Sequence, residues 1–284
     1  MKVMLIGSGG QLGADLASTL PRDTTISLTH AEIDITDPQS VESALGQHRP
    51  GVVINTAAFH RVDDCETEVE RAFRVNAFAV RALAQACRRC GAALVHFSTD
   101  YVFAGEKTQP YVETDRPGPL SAYGASKLAG EHFVSAILKK HFLIRTCGLY
   151  GRGGSRAKGG NFVETMLRLA AQGKPLRVVH DQVVAPTSTV DLARKISQLI
   201  ETEGYGLYHI VNAGSCSWFE FARTIFEIEG IEADLQPTTS EAFSAPARRP
   251  AYSVLLNRRL KLLGLDDMPD WKDAVRCYLT ARHS

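Results

Sequence analysis

Short apolar runs rich in β-branched residues alternate with stretches of helical period through the first half of the chain. "KVMLI" (2–6), "TISLT" (25–29), "GVVIN" (51–55), "AALVHFS" (92–98) and "HFLIRT" (141–146) are apolar on both faces, as strands buried in a parallel sheet are. Between them 11–20, 38–48, 66–90 and 123–140 read as helices. Repeated β-α-β with short connections predicts an α/β fold, a Rossmann-like doubly wound parallel sheet. Right-handed crossovers then place every strand's carboxyl end along one edge.

After Leu149 the pattern changes. "YGRGGSRAKGGN" (150–161) is Gly-rich and basic, a loop and a seam between domains. A helix "NFVETMLRLAAQG", a strand "LRVVHD", a helix over 187–201 opening with hydroxyl caps, and a buried strand "LYHIVN" (207–212) follow. "SWFEFARTIFEIEG" (217–230) puts Trp218, Phe221, Ala222 and Ile225 on one helix face, and a last helix starts near Trp271. The expected division is a dinucleotide-binding domain over 1–150 and a smaller, interrupted substrate domain over 151–284. The segment near 187–213 is expected to return to the first domain.

A length of 284 residues suits one large domain or two intimate ones. With 44% apolar and 22% charged residues the chain reads as globular rather than disordered. The +1 net charge gives no general reason to expect nucleic acid or a membrane surface as partner. No apolar run approaches the roughly 20 residues that span a bilayer, and the N-terminal run is too short for a signal-peptide core. A cytoplasmic location is expected. The six cysteines stand mostly in apolar surroundings, as reduced thiols do. Cys87 and Cys90 have redox or zinc spacing, but a helix C-terminus disfavours a thiolate and no second pair completes a zinc site.

Three stretches carry chemistry. "GSGGQLG" places Gly7, Gly10 and Gly13 between the first strand and the first helix. Glycine there allows a tight turn and a close approach of backbone N–H groups to a pyrophosphate at a helix N-terminus. The acid often found at the end of the second strand is missing, where Thr29 and His30 stand, so NADH and NADPH both remain open. "SAYGASKLAGE" puts Tyr123 and Lys127 four residues apart on one helix face. An ammonium beside a phenol favours the anion, so the Tyr123 pKa is expected to fall from about 10 toward working pH. Such a tyrosine can protonate a carbonyl oxygen as hydride arrives. "STDYVF" (98–103) ends a buried strand in two hydroxyls and a carboxylate, and suits a cap, a turn or the mouth of a site.

With "NTAAFHRVDDCE", "NFVETMLRLA", "DQVVAPT", "GSCSWFEFA" and "PARRPAYSVL", these stretches resemble, over essentially the whole length, the extended short-chain dehydrogenase/reductases and within them the dTDP-4-dehydrorhamnose reductase family. The resemblance implies Thr99, Tyr123 and Lys127 as the catalytic group. It implies Gly10, Gln11 and Leu12 at the pyrophosphate beside Gly7 and Gly13, Asp34 and Ile35 at the adenine, Ala57 and Ala58 at the middle of an NADPH or NADH cofactor, and Asp100 on the sugar nucleotide. Related dehydratases carry Thr-Asp-Glu. Tyr101 in third place removes the acid pair that elimination needs and favours reduction of a keto group.

The family usually reads Arg-Thr-Ser-Trp-Val-Tyr after the fifth strand, where its Trp helps to line the sugar pocket. This chain reads Arg145-Thr146-Cys147-Gly148-Leu149-Tyr150, so Gly148 leaves the sugar wall open, with Arg152, Arg156 or Lys158 in reach of a diphosphate. Some members pair as homodimers through magnesium held by acids. Asp15 is compatible with this, but Val190 stands where an acid is wanted, and the histidines show no metal-ligand spacing. The expected activity is hydride transfer to a dTDP-linked keto sugar. The rivals are reduction of another nucleotide-linked 4-keto-6-deoxy sugar, and a non-catalytic NADP-binding subunit resembling the regulatory beta subunit of methionine adenosyltransferase.

Overall fold

The computed structural model describes residues 1–153 and 160–282. Six parallel strands form its main sheet: β1 (Val3–Ile6), β2 (Thr25–Leu28), β3 (Val52–Asn55), β4 (Ala93–Thr99), β5 (His141–Thr146) and β6 (Gly206–His209), in the spatial order β6-β5-β4-β3-β1-β2. β1, β3 and β4 are buried along their whole length, and β5 in all but its first residue, as their apolar character on both faces requires. β2 is one of the two edge strands and is buried only at Leu28. The chain reverses its direction of travel across the sheet between β1 and β3, and a ligand crevice forms outside the carboxyl ends at such a point.

Helices cover both faces. On one, Leu12 and Leu16 of α1 (Gln11–Thr19) pack with Leu192, Ile196 and Leu199 of α6 (Thr189–Leu199). On the other, α2 (Pro38–His48), α3 (Val80–Cys90) and α4 (Ala122–Ile137) bury Val41, Leu45, Leu83, Cys87 and Val134. α5 (Phe162–Ala170), α7 (Trp218–Glu229) and α8 (Trp271–Arg282) form a separate core around Tyr150, Val163, Phe221, Ile225 and Val275. Three short strand pairs support this second layer: Leu149–Tyr150 with Thr187–Ser188, Leu176–Val179 with Leu235–Thr238, and an antiparallel Val183–Val184 with Cys216–Ser217.

The single helix expected over 66–90 is broken. Asp64–Thr67 and Val69–Phe73 meet at Glu68, whose φ of −110° and ψ of 46° are not helical, and a π-helical turn spans Arg74–Ala79 before α3. The wide turn faces Asn76 inward. Its amide donates to the Phe59 carbonyl (2.9 Å) and Ser126 Oγ (3.0 Å), and its Oδ1 accepts from the Phe59 N–H (2.9 Å). Three tertiary hydrogen bonds to one side chain outweigh helical regularity here, and π turns of this kind recur at functional sites.

Candidate active site

A cavity of about 640 Å³ opens at the carboxyl ends of β1, β3, β4 and β5, within the range of small-molecule sites. Gly10, Gln11, Leu12, Gly13, Ala57, Ala58, Thr99, Asp100, Tyr123, Lys127 and Gly148, all expected at the site, line it. Gly7 lies behind the wall and shapes it. Its φ is +84°, and a Cβ there would stand 2.5 Å from Thr56 Oγ1, while a Cβ on Gly13 would stand 2.1 Å from the Gly7 carbonyl. The strand-to-helix turn closes only with hydrogen at both positions. Asp34 and Ile35 lie off the cavity wall. The Asp34 carboxylate accepts the Thr36 N–H and hydroxyl, both at 2.8 Å, which hold its pKa down, and Ile35 is buried in the core.

The residues present fit a dinucleotide. Besides the glycine cradle, Gln11 Oε1, Ser98 Oγ and Thr146 Oγ1 are buried at the cavity without a hydrogen-bond partner, the donors and acceptors a polar ligand satisfies. The sequence offered no acid at the end of β2, but the following turn returns one. Glu32 Oε2 accepts from both the N–H and the hydroxyl of Thr29 at 2.8 Å.

Local folding presents the catalytic candidates together. Ser121 caps α4 by accepting from the Gly124 N–H, and Glu66 accepts from the Ala122 N–H at 2.8 Å. A Cβ on Gly124 would stand 2.2 Å from the Tyr101 carbonyl, so glycine lets α4 lie against the segment after β4. The rings of Tyr101 and Tyr123 meet edge to face at 6.1 Å, and Thr99 stands near the Tyr123 hydroxyl and favours its ionised form. Thr99 is 6% exposed; its Oγ1 donates to Asp100 Oδ1 at 3.0 Å and accepts from the Tyr101 N–H at 3.2 Å.

Two expectations need correction. The Tyr123 pKa does not fall: burial, with the negative Asp100 nearby, pushes it above the ordinary tyrosine value, and Thr99 only partly offsets them. Lys127, 2% exposed, does not hold it down, because the same burial brings the ammonium itself down to about 8 against an opposing pull from Glu131. A phenol that stays protonated at neutral pH is the form a proton donor needs.

The Asp100 carboxylate is engaged by the protein itself. It is 3% exposed, and its oxygens accept from Thr99, from Ser253 Oγ (2.6 Å) and from Cys147 Sγ (3.1 Å). Burial raises its pKa while these donors lower it. Asp100 therefore positions Thr99 from within the protein. Ser253, which lies 153 residues further along the chain, and Cys147 complete this network, and no local signal marks either of them.

Beneath Lys127, Glu131 takes Arg145 in a bidentate pair at 2.9 and 2.6 Å, with both side chains at 5% exposure or less. Tyr101 lies near Arg249, which Asp63 holds at 3.0 and 2.9 Å. Trp218, read from the sequence as part of a core face, is half-buried and lines the cavity. Arg156 and Lys158 lie outside the described residues, and Arg152 is exposed.

Asp15 meets the start of α6. Its carboxylate accepts the Thr189 hydroxyl, Val190 beside it is 47% exposed, and no group of three or more His, Cys, Asp or Glu among the described residues could hold a metal ion. Among the described residues no helix is long and apolar enough to cross a membrane.

The Lys127 value sets a pH dependence. Below about 8 Lys127 is a charged ammonium, the form that donates most strongly to a cofactor hydroxyl. Above it the amine is neutral and that help is gone. kcat/KM is therefore expected to fall as pH rises through about 8, in a profile measured with saturating cofactor, and a profile flat to pH 10 would contradict the role given to Lys127.

The chain is similar to known proteins over nearly its whole length. A dTDP-4-dehydrorhamnose reductase of Streptomyces griseus is 41% identical over 96% of this chain and 91% of its own. A probable dTDP-4,6-dihydroxy-2-methyloxan-3-one 4-ketoreductase of Streptomyces antibioticus is 41% identical over 97% of this chain and 94% of its own. The crystal structure of the Bacillus anthracis dTDP-4-dehydrorhamnose reductase in complex with NADP superposes with a TM-score of 0.95 at 39% identity, covering 99% of this chain and all of that one. The model of the RmlD substrate binding domain family matches residues 1–283, and the chain belongs to that family.

Proposed function

We propose that the chain reduces the C4 keto group of dTDP-4-dehydro-L-rhamnose to give dTDP-L-rhamnose, with NADPH or NADH bound along the glycine turn. The observation that carries this reading is the Thr99–Tyr123 pair, set in one cavity with the glycine turn and with Lys127 one helical turn beyond the tyrosine. Tyr101, a phenol near Arg249, stands where elimination would need an acid. The relatives named for reduction of dTDP-linked keto sugars support the substrate class.

When bound, the nicotinamide supplies the hydride. The protein does the rest. Gly10, Gln11 and the α1 N-terminus receive the pyrophosphate, and Lys127 reaches the nicotinamide ribose. On substrate binding the Thr99 hydroxyl turns its one proton from Asp100 to the keto oxygen and holds it beside Tyr123, and the Tyr123 proton passes to that oxygen as C4 is reduced. The polar strand end at 98–100 faces the cofactor crevice, as a β-strand end in a doubly wound sheet can.

Mixing the purified protein with dTDP-4-dehydro-L-rhamnose and either cofactor is expected to oxidise the nicotinamide, followed by its absorbance. Cofactor binding without oxidation of either nicotinamide would turn the assignment to the non-catalytic regulator.

A further inference from the structure

Gly148 removes a side chain from the sugar wall, and the space it leaves is filled from the other half of the molecule. Its φ is +54°, and a Cβ there would stand 3.2 Å from Pro186 Cα and 3.3 Å from Trp218 Cη2. The tip of the indole stands in close contact with the point where a side chain at 148 would begin. A capping box fixes that placement: the Glu220 N–H donates to Ser217 Oγ at 3.1 Å, and the Ser217 N–H donates to Glu220 Oε2 at 2.8 Å, so α7 starts at Trp218. Phe162 packs against the indole with ring centroids 4.6 Å apart, and Phe221 stacks behind Phe162 at 5.5 Å.

The indole tip stands close to the chemistry. Gly148 follows Cys147, whose Sγ lies 3.1 Å from the Asp100 carboxylate that takes the Thr99 hydroxyl. Trp218, Phe162, Thr99 and Tyr123 line the same cavity. The other tryptophan, Trp271, is 4% exposed and belongs to the core of the second layer.

We propose that Trp218 is a substrate-positioning residue: its indole, braced by Phe162 and seated over Gly148, is the aromatic wall on which the deoxyhexose of the dTDP-sugar packs. The inference rests on the function proposed above. A 6-deoxyhexose presents C–H groups on its ring face and an apolar methyl at C6, and these pack on the electron-rich face of an indole while the ketone points to donors elsewhere. Glycine at 148 is thereby the counterpart of the indole tip rather than a gap. The orientation of C4 toward Thr99 and Tyr123 then depends on a residue from α7.

The chain has two tryptophans, so fluorescence isolates this contact. Titrating the protein with dTDP-L-rhamnose is expected to quench emission, and dTDP without the hexose is expected to leave it unchanged. Trp218→Phe should abolish the quench with an unaltered circular dichroism spectrum. In turnover, Trp218→Ala is expected to raise KM for the keto sugar at least about tenfold while cofactor affinity stays the same, and Trp218→Phe to restore most of it. Equal quenching by dTDP and dTDP-L-rhamnose, or an alanine variant whose KM stays within twofold, would overturn the inference. A hexose-dependent quench in a protein that fails to turn over would instead count against the reductase reading and leave the Trp218 contact standing.

Discussion

Tyr123→Phe is expected to lower kcat by about 10²–10⁴ while leaving cofactor affinity within a few fold. The phenylalanine keeps the edge-to-face packing on Tyr101 and loses only the hydroxyl that meets Thr99. The other titratable groups on the cavity wall are poorly suited to replace it. Asp100 accepts three hydrogen bonds from the protein, and burial pushes the Cys147 thiol well above its ordinary pKa, with the negative Asp100 adding to the shift. His60 also lines the cavity, but its Nδ1 faces the Ala58 carbonyl at 3.3 Å. Single-turnover measurement of cofactor oxidation separates the chemical step from binding. A loss under about fivefold would move the donor role to His60, and His60→Gln would then carry the large effect.

Arg145→Met is expected to cost about 3–5 kcal/mol, because it leaves Glu131 charged and unpaired in the interior. Glu131 is 4% exposed and Arg145 3%, and the guanidinium also lies 5.0 Å from the centroid of the Phe103 ring. At a few degrees per kcal/mol, thermal unfolding should move down by roughly 5–15 °C. The double variant Glu131→Leu/Arg145→Met should recover most of that, since replacing a whole buried pair with apolar side chains is often neutral or stabilising. The function of the pair shows in the same series. Glu131 follows Lys127 by one helical turn and draws its pKa upward, so an unpaired Glu131 should shift the alkaline limb of the rate profile to higher pH. The double variant, without Glu131, should shift that limb the other way. Equal limbs in all three proteins would show the pair to be structural only.

The sequence shows much of this molecule because much of it is local. Strands β1, β3, β4 and β5 announce themselves by apolar residues on both faces, and the glycine turn and the Tyr123–Lys127 pair depend on spacings of a few residues. Missing from any local pattern were the contacts closed by the fold. Ser253 reaches Asp100 across 153 positions, and Asn76 is turned inward by a π-helical turn whose sequence reads as ordinary helix. Trp218 falls on the apolar stripe of α7, and only its position at the helix start carries it out of the core to Gly148. The direction of the Tyr123 shift was equally hidden. Spacing shows that a lysine is near, whereas the depth of burial that weakens the lysine and raises the phenol is a property of the assembled sheet and helix.

The central claim is that this cleft carries hydride to C4 of a dTDP-linked keto sugar. Its most direct test uses NADPH deuterated at the transferable position of the nicotinamide, with dTDP-4-dehydro-L-rhamnose and the wild-type protein, and reads the product by NMR. One deuterium is expected at C4 of dTDP-L-rhamnose, formed mole for mole with oxidised cofactor. Recovery of unreduced keto sugar with the label still on the nicotinamide, under conditions where the cofactor is bound, would contradict it.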